Sequence, residues 1–220
     1  MNRTDDETGG KEIIPGPDCA AGDRLEAQIR FLMEADREKE IVRQNYLASG
    51  NRRETDAEHA WHMALMVMLL SEYANEPIDR YRTMCLCLAH DLVEVYAGDT
   101  YAYDTNAQVH EDQEAREREA AERLFSLLPE DQAAWMRGLW EEFEAWETPE
   151  AKFAKTLDRF QPLFLNSRSG GKSWIEHGVA ISQILKRNER TAEGSEVLYG
   201  RLLGELEANV SKGVIPDDRV

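Results

Sequence analysis

The chain has 220 residues, 42% hydrophobic and 31% charged, the make-up of a folded globular protein rather than a disordered chain. Its 43 acidic residues outnumber 26 basic ones, for a formal net charge of −17, which excludes extended nucleic acid and anionic membrane surfaces as partners. A small anion remains admissible, because a few arginines and a divalent cation invert the field inside a pocket. The length suits one domain, expected over residues 21–210, between a flexible N-terminal arm at 1–20 and a short C-terminal tail at 211–220.

In chain order, Gly9, Gly10, Pro15, Gly16 and Pro17 mark the arm, which has no apolar segment like that of an exported protein. From Asp23, Leu25, Ile29, Leu32 and Met33 recur at helical spacing, and a second helical run centres on Ile41 and Val42. Ser49-Gly50-Asn51 predicts a loop. Thr55 and Glu58 form a capping box that opens a long helix, whose buried face is expected at Trp61, Leu65, Met68 and Leu69, up to Pro77. Ile78 to about Ala97 predicts a helix apolar on most sides, hence central, stopped by Gly98.

Further helices are expected at about Glu111–Leu128, Gln132–Glu147, Ala151–Leu165, Trp174–Arg190 and Gly194–Val210. No alternating run is long enough to predict a strand, so the class is all-α, a compact single-domain helical bundle. Cys19, Cys85 and Cys87 are too few for a disulfide framework and point to a reducing cytoplasm. No stretch of about 18 apolar residues predicts a membrane span.

Chemistry concentrates at His90-Asp91, inside the most apolar helix. A buried aspartate is costly unless paired or metal-bound, and the adjacent imidazole suits a borderline divalent ion. The plainer alternative is a buried His–Asp pair satisfied by neighbouring backbone. Glu94 follows at helical offset from both residues, placed to hold or deprotonate a metal-bound water, and Asp99 follows Gly98, where the chain can turn back toward the site. His59, near the start of the preceding helix, and Asp158, among Phe and Leu, complete four candidate ligands on three apolar helices.

The order His59, His90-Asp91, Asp158 resembles the H…HD…D signature of the HD-domain superfamily of metal-dependent phosphohydrolases. Arg52 to Trp61, His90 to Asp99 and Leu157 to Pro162 are similar to the branch containing 5'-deoxynucleotidases. The resemblance runs from about Leu25 to Asn188. It implies an HD-type helical domain with one divalent ion, Mn, Co, Fe, Ni or Zn, held by His59, His90, Asp91 and Asp158. It also implies that Glu94 orients the attacking water, that Asp99 belongs to the catalytic neighbourhood, and that an arginine on the helix before the first histidine binds phosphate, for which Arg43 falls nearest.

Other residues carry competing readings. His62 is a further ligand or packs behind the site, and His110 is a second-metal ligand or a solvated surface residue. His177 contacts substrate or supports the site, Trp174 is a lid or plain core, and the Ser167–Lys172 stretch is a helix connection lacking Walker spacing. Arg53 is a second phosphate-facing arginine, or with Arg52, Glu54 and Glu58 it either orients the His59 ring from behind or forms a surface ion-pair and capping cluster.

The expected activity is hydrolysis of small phosphomonoesters, favouring nucleoside 5'-monophosphates, by a metal-activated water. A diiron HD-type oxygenase and a non-catalytic nucleotide-binding module are the alternatives. The expected protein is a homodimer with no nucleic-acid polymer or membrane partner.

Overall fold

The structure, a computed structural model, describes residues 21–99, 103 and 107–219; the arm expected at 1–20 lies outside them, as does the side chain of His110. The first helix, α1, spans Ala21–Ala35 and leads through a tight 3-10 turn at Asp36–Glu40 into a strand, β1, Val42–Tyr46. β1 pairs antiparallel with β2, Arg53–Thr55, in the register Val42 to Thr55 and Tyr46 to Arg53, around the expected Ser49-Gly50-Asn51 loop. The helical run expected at Ile41 and Val42 is therefore a strand. A five-residue strand is too short to show an alternating period, and it becomes visible only through its partner.

Helix α2, Asp56–Leu70, starts at the predicted box: the Thr55 hydroxyl accepts from the Glu58 amide, and the Glu58 carboxylate accepts from the Thr55 amide. Its buried face is not the expected one. Trp61, Met68 and Leu69 are 60–64% exposed, while His59, Ala60, Met63, Met66 and Val67 face the core. A helix apolar on nearly every side gives its period little power to select a face.

The central segment is also broken where one helix was expected. α3, Arg80–Ala89, ends at His90, and α4, Glu94–Ala97, follows a tightened turn in which the amides of Glu94, Val95 and Tyr96 bond three residues back, to Asp91, Leu92 and Val93. Gly98, at φ 77°, ends α4 and sends the chain toward Asp99.

α5, Ala107–Phe125, α6, Glu130–Ala145, and α7, Pro149–Arg168, follow, and α7 runs through Pro162. The last two expected helices are three: α8, Lys172–His177, α9, Ile181–Arg187, and α10, Glu196–Ser211, with Gly178 at φ 61° separating α8 from α9. The all-α class stands with this two-stranded addition. Leu86, Leu124, Phe143, Phe153, Leu157, Ile184 and Leu202 are buried at its centre, and Trp174 is core. Against this core α2, α3 and α7 pack together, which brings His59, His90 and Asp158 to one point.

Candidate metal centre

His59 is fully buried on α2. Its Nδ1 lies 2.9 Å from the Oε1 of Gln161, while Gln161 directs its Nε2 at Glu54 Oε1, 2.6 Å away. A carboxylate accepts, so the amide nitrogen faces Glu54, the amide oxygen faces His59, and Nδ1 carries the imidazole proton. That leaves a lone pair on Nε2, 3.3 Å from Asp158 Oδ1. Burial and the nearby Arg43 charge lower the His59 pKa to about 4, consistent with a neutral ring.

His90 repeats the arrangement. Its Nδ1 donates to the Cys87 carbonyl at 2.8 Å, freeing Nε2, which is buried without a hydrogen-bond partner among the described residues. Asp91 Oδ2 stands 2.9 Å from that nitrogen and Asp158 Oδ1 3.9 Å. The tightened turn after α3 matters here, because neighbours on a regular helix diverge by about 100°. Burial opposes charge on His90, but Asp91 and Asp158 outweigh it and raise its pKa to about 9, so a proton and a cation compete for one lone pair. Against burial, His90 and Arg43 hold Asp91 well below the carboxylate range, and His59, Arg159 and His90 do the same for Asp158.

Donor atoms of His59, His90 and Asp158 all lie within 4.8 Å of one another. Two lone pairs fixed by hydrogen bonds on the far ring nitrogens, with carboxylates between them, fit a divalent cation, and imidazole with carboxylate suits Mn, Co, Fe, Ni and Zn alike. The Phe143 ring packs 4.6 Å from that of His90 and closes the inner wall.

A cavity of ≈ 240 Å³ opens on this centre, lined by His90, Asp91, Asp158, Glu94, Asp99 and Arg43 among others. Burial, with Asp91 and Asp56, pushes Glu94 well above its ordinary pKa, and its Oε2 is buried without a hydrogen-bond partner among the described residues. Burial also raises Asp99. Arg43 Nη1 lies 2.6 Å from Asp91 Oδ2 and 3.0 Å from Asp56 Oδ1, reached from β1 rather than from a helix.

Two expected substrate contacts stand apart from this lining. Arg53 faces Gln44 and Glu176 and stacks on Tyr46, and His177 is exposed at the end of α8. His62 lies 3.2 Å from Gln161 Nε2, behind His59. Glu54, weighed in the sequence as part of a group orienting the His59 ring, reaches that ring through Gln161, whereas Gln161, Asp56, Arg159 and Arg187 were missed. For Gln161 a signal existed, since it follows Asp158 by three residues and shares its face of α7; for Arg187, on a separate short helix, there was none.

The HD domain model matches residues 35–198. Human 5'-deoxynucleotidase HDDC2 is 31% identical over 144 residues, 65% of this chain and 68% of that protein. The Schizosaccharomyces pombe 5'-deoxynucleotidase hdd1 is 30% identical over 141 residues, 61% of this chain and 68% of the relative. A crystal structure from Magnetospirillum magnetotacticum, described as a predicted metal-dependent phosphohydrolase, superposes with a TM-score of 0.83 at 44% identity, covering 88% of this chain and 96% of the other.

Proposed function

The chain belongs to the HD domain family, and from that premise we propose that it is a metal-dependent phosphohydrolase acting on nucleoside 5'-monophosphates, deoxynucleotides favoured. The observation that carries this reading is the pair of imidazole lone pairs, on His59 and His90, aimed at Asp158 from buried rings whose tautomers are fixed.

In this reading His59, His90, Asp91 and Asp158 would hold one divalent ion, which when bound would supply Lewis-acid charge for the phosphoryl oxygens and lower the pKa of an adjacent water. Glu94 orients that water through its unpartnered Oε2, and Asp99 completes the acidic wall behind it. The water oxygen forms a bond to phosphorus as the bond from phosphorus to the 5' oxygen breaks. One water proton passes toward Glu94 and the other stays on the phosphate, the departing 5' oxygen takes up a matching proton from solvent, and a nucleoside and inorganic phosphate result. Arg43 keeps Asp91 ionised and oriented and turns its remaining N–H groups to the phosphate. Arg53 and His177, outside the cavity lining, are left out of the phosphate contact.

The reading includes a homodimer. On α1, Leu25, Ile29, Leu32 and Met33 form one exposed apolar stripe, and on α2 Trp61, Met68 and Leu69 form another. Among the described residues no helix is long and apolar enough to cross a membrane. Phosphate release from a panel of ribo- and deoxynucleoside monophosphates, with each of several divalent metals, tests the activity. Turnover of deoxynucleotides supports it; a panel flat with every metal contradicts it.

A further inference from the structure

Three arginines line the cavity, and they differ in how their charge is answered. Arg43 touches two carboxylates, Asp56 and Asp91. Arg159, one residue after Asp158 on α7, has its Nε 3.7 Å from Asp158 Oδ2, yet its Nε and Nη1 are buried without a hydrogen-bond acceptor among the described residues. Arg187, at the end of α9, lines the same cavity with its side chain open to it and forms no ion pair with any described residue. A chain with net charge −17 does not lack carboxylates to pair with two guanidiniums. Here Arg159 has only the long contact to Asp158, Arg187 has no ion pair among the described residues, and both line one cavity.

The pair is also mutually unfavourable. Arg187 is lowered to about 10 by the protein around it and by the Arg159 charge, with Asp158 only partly offsetting them. Like charges brought together in a concave, protein-walled space favour an anion between them. The position selects the anion: Asp158 turns Oδ1 to His59 and His90 and Oδ2 to Arg159, so Arg159 adjoins the metal ligands through Asp158, whereas Arg43 meets them through Asp91. A guanidinium offers a planar fork matched to phosphate oxygens.

We infer that Arg159 and Arg187 form a clamp for the non-bridging oxygens of a terminal phosphate, a second anion station beside the one Arg43 supplies. The clamp rests on the phosphohydrolase reading and sharpens it. A terminal phosphate has three free oxygens for the cation, Arg159 and Arg187, whereas a diester has two, so the site takes phosphomonoesters.

The test is binding rather than turnover: relaxation of the 31P signal of inorganic phosphate by the Mn2+-loaded protein, with dimethyl phosphate as comparison. Arg187→Gln and Arg159→Gln are each expected to weaken phosphate binding about tenfold or more, the worth of a charge-assisted contact, at unchanged Mn2+ content. Wild-type protein is expected to bind phosphate and discriminate against dimethyl phosphate. Unchanged affinity in both variants, loss of Mn2+ with the arginines, no phosphate binding by the wild type, or equal binding of the diester would each overturn the clamp. If Arg159→Gln does not fold, Arg187→Gln, at an open position, decides alone. Should the nucleotide panel be inactive while the variants lose phosphate affinity, the hydrolase reading fails and the clamp stands; an active panel with unchanged affinity removes the clamp only.

Discussion

Gln161 braces the proposed metal centre from behind, between His59 and Glu54. It is 1% exposed on α7, gives its amide oxygen to His59 Nδ1 at 2.9 Å and donates its amide nitrogen to Glu54 at 2.6 Å. Gln161→Met keeps the length and most of the volume but removes these two contacts and the one to His62, leaving a buried imidazole N–H and a buried carboxylate oxygen unmatched. Each orphaned group costs about 1–3 kcal/mol, so a loss of about 2–6 kcal/mol of stability is expected. Glu54, already raised to about 7 by burial against the pull of Arg43 and Gln161, rises further and takes up a proton near neutrality, which recovers part of that cost. Losing the partner that fixes the His59 tautomer is expected to weaken the cation about 10- to 100-fold. Urea unfolding measures the first effect and competitive titration with a chromophoric chelator the second. A variant with wild-type metal affinity would refute the claim that the amide sets the tautomer, whatever its stability.

Glu38 is 8% exposed, and burial together with Asp91 raises its pKa from the ordinary 4.5 to about 7. The folded protein thus holds this proton more tightly than the unfolded chain, so stability falls as pH rises from about 4.5 through about 7, by about 3 kcal/mol in all. Glu38→Gln should leave chelator-treated protein almost unchanged at pH 5 and stabilise it at pH 8.5; equal shifts at both pH values would contradict the assignment. Gly194 packs so closely on α7 that an added Cβ would lie 2.2 Å from the Lys152 carbonyl oxygen. Gly194→Ala is expected to cost about 1–3 kcal/mol in thermal unfolding, and a neutral result would mean the junction yields freely. Glu94→Gln should retain its metal by elemental analysis and lose about 100-fold or more in kcat; full turnover would remove Glu94 from the reaction.

Much of the fold was legible because its signals were local. Thr55 and Glu58 announced the start of α2, and Gly98 marked the stop before Asp99. The misjudged features depend on other parts of the chain. Nothing local tells which face of α2 is inside when Trp61, Met63, Met66 and Met68 are all apolar; α3 and α7 decide it. The strand holding Arg43 exists through its pairing with Arg53 to Thr55, and the break after Ala89 follows from drawing His90 and Asp91 toward one point. For the site the same division holds. Carboxylates and histidines in apolar helices stand out because their burial needs a reason, whereas a buried glutamine or an arginine at a helix end is ordinary until its neighbours are known.

The central claim is that one cation at His59, His90, Asp91 and Asp158 runs a phosphomonoesterase. Its most direct test is phosphate release from a deoxynucleoside monophosphate by chelator-stripped protein as a divalent metal is added back, with bound metal counted on the same samples. Activity should rise in step with occupancy and saturate at one ion per chain, and Asp158→Ala should neither bind the ion nor respond. Turnover that survives complete stripping, or that saturates only at two ions per chain, would contradict the account.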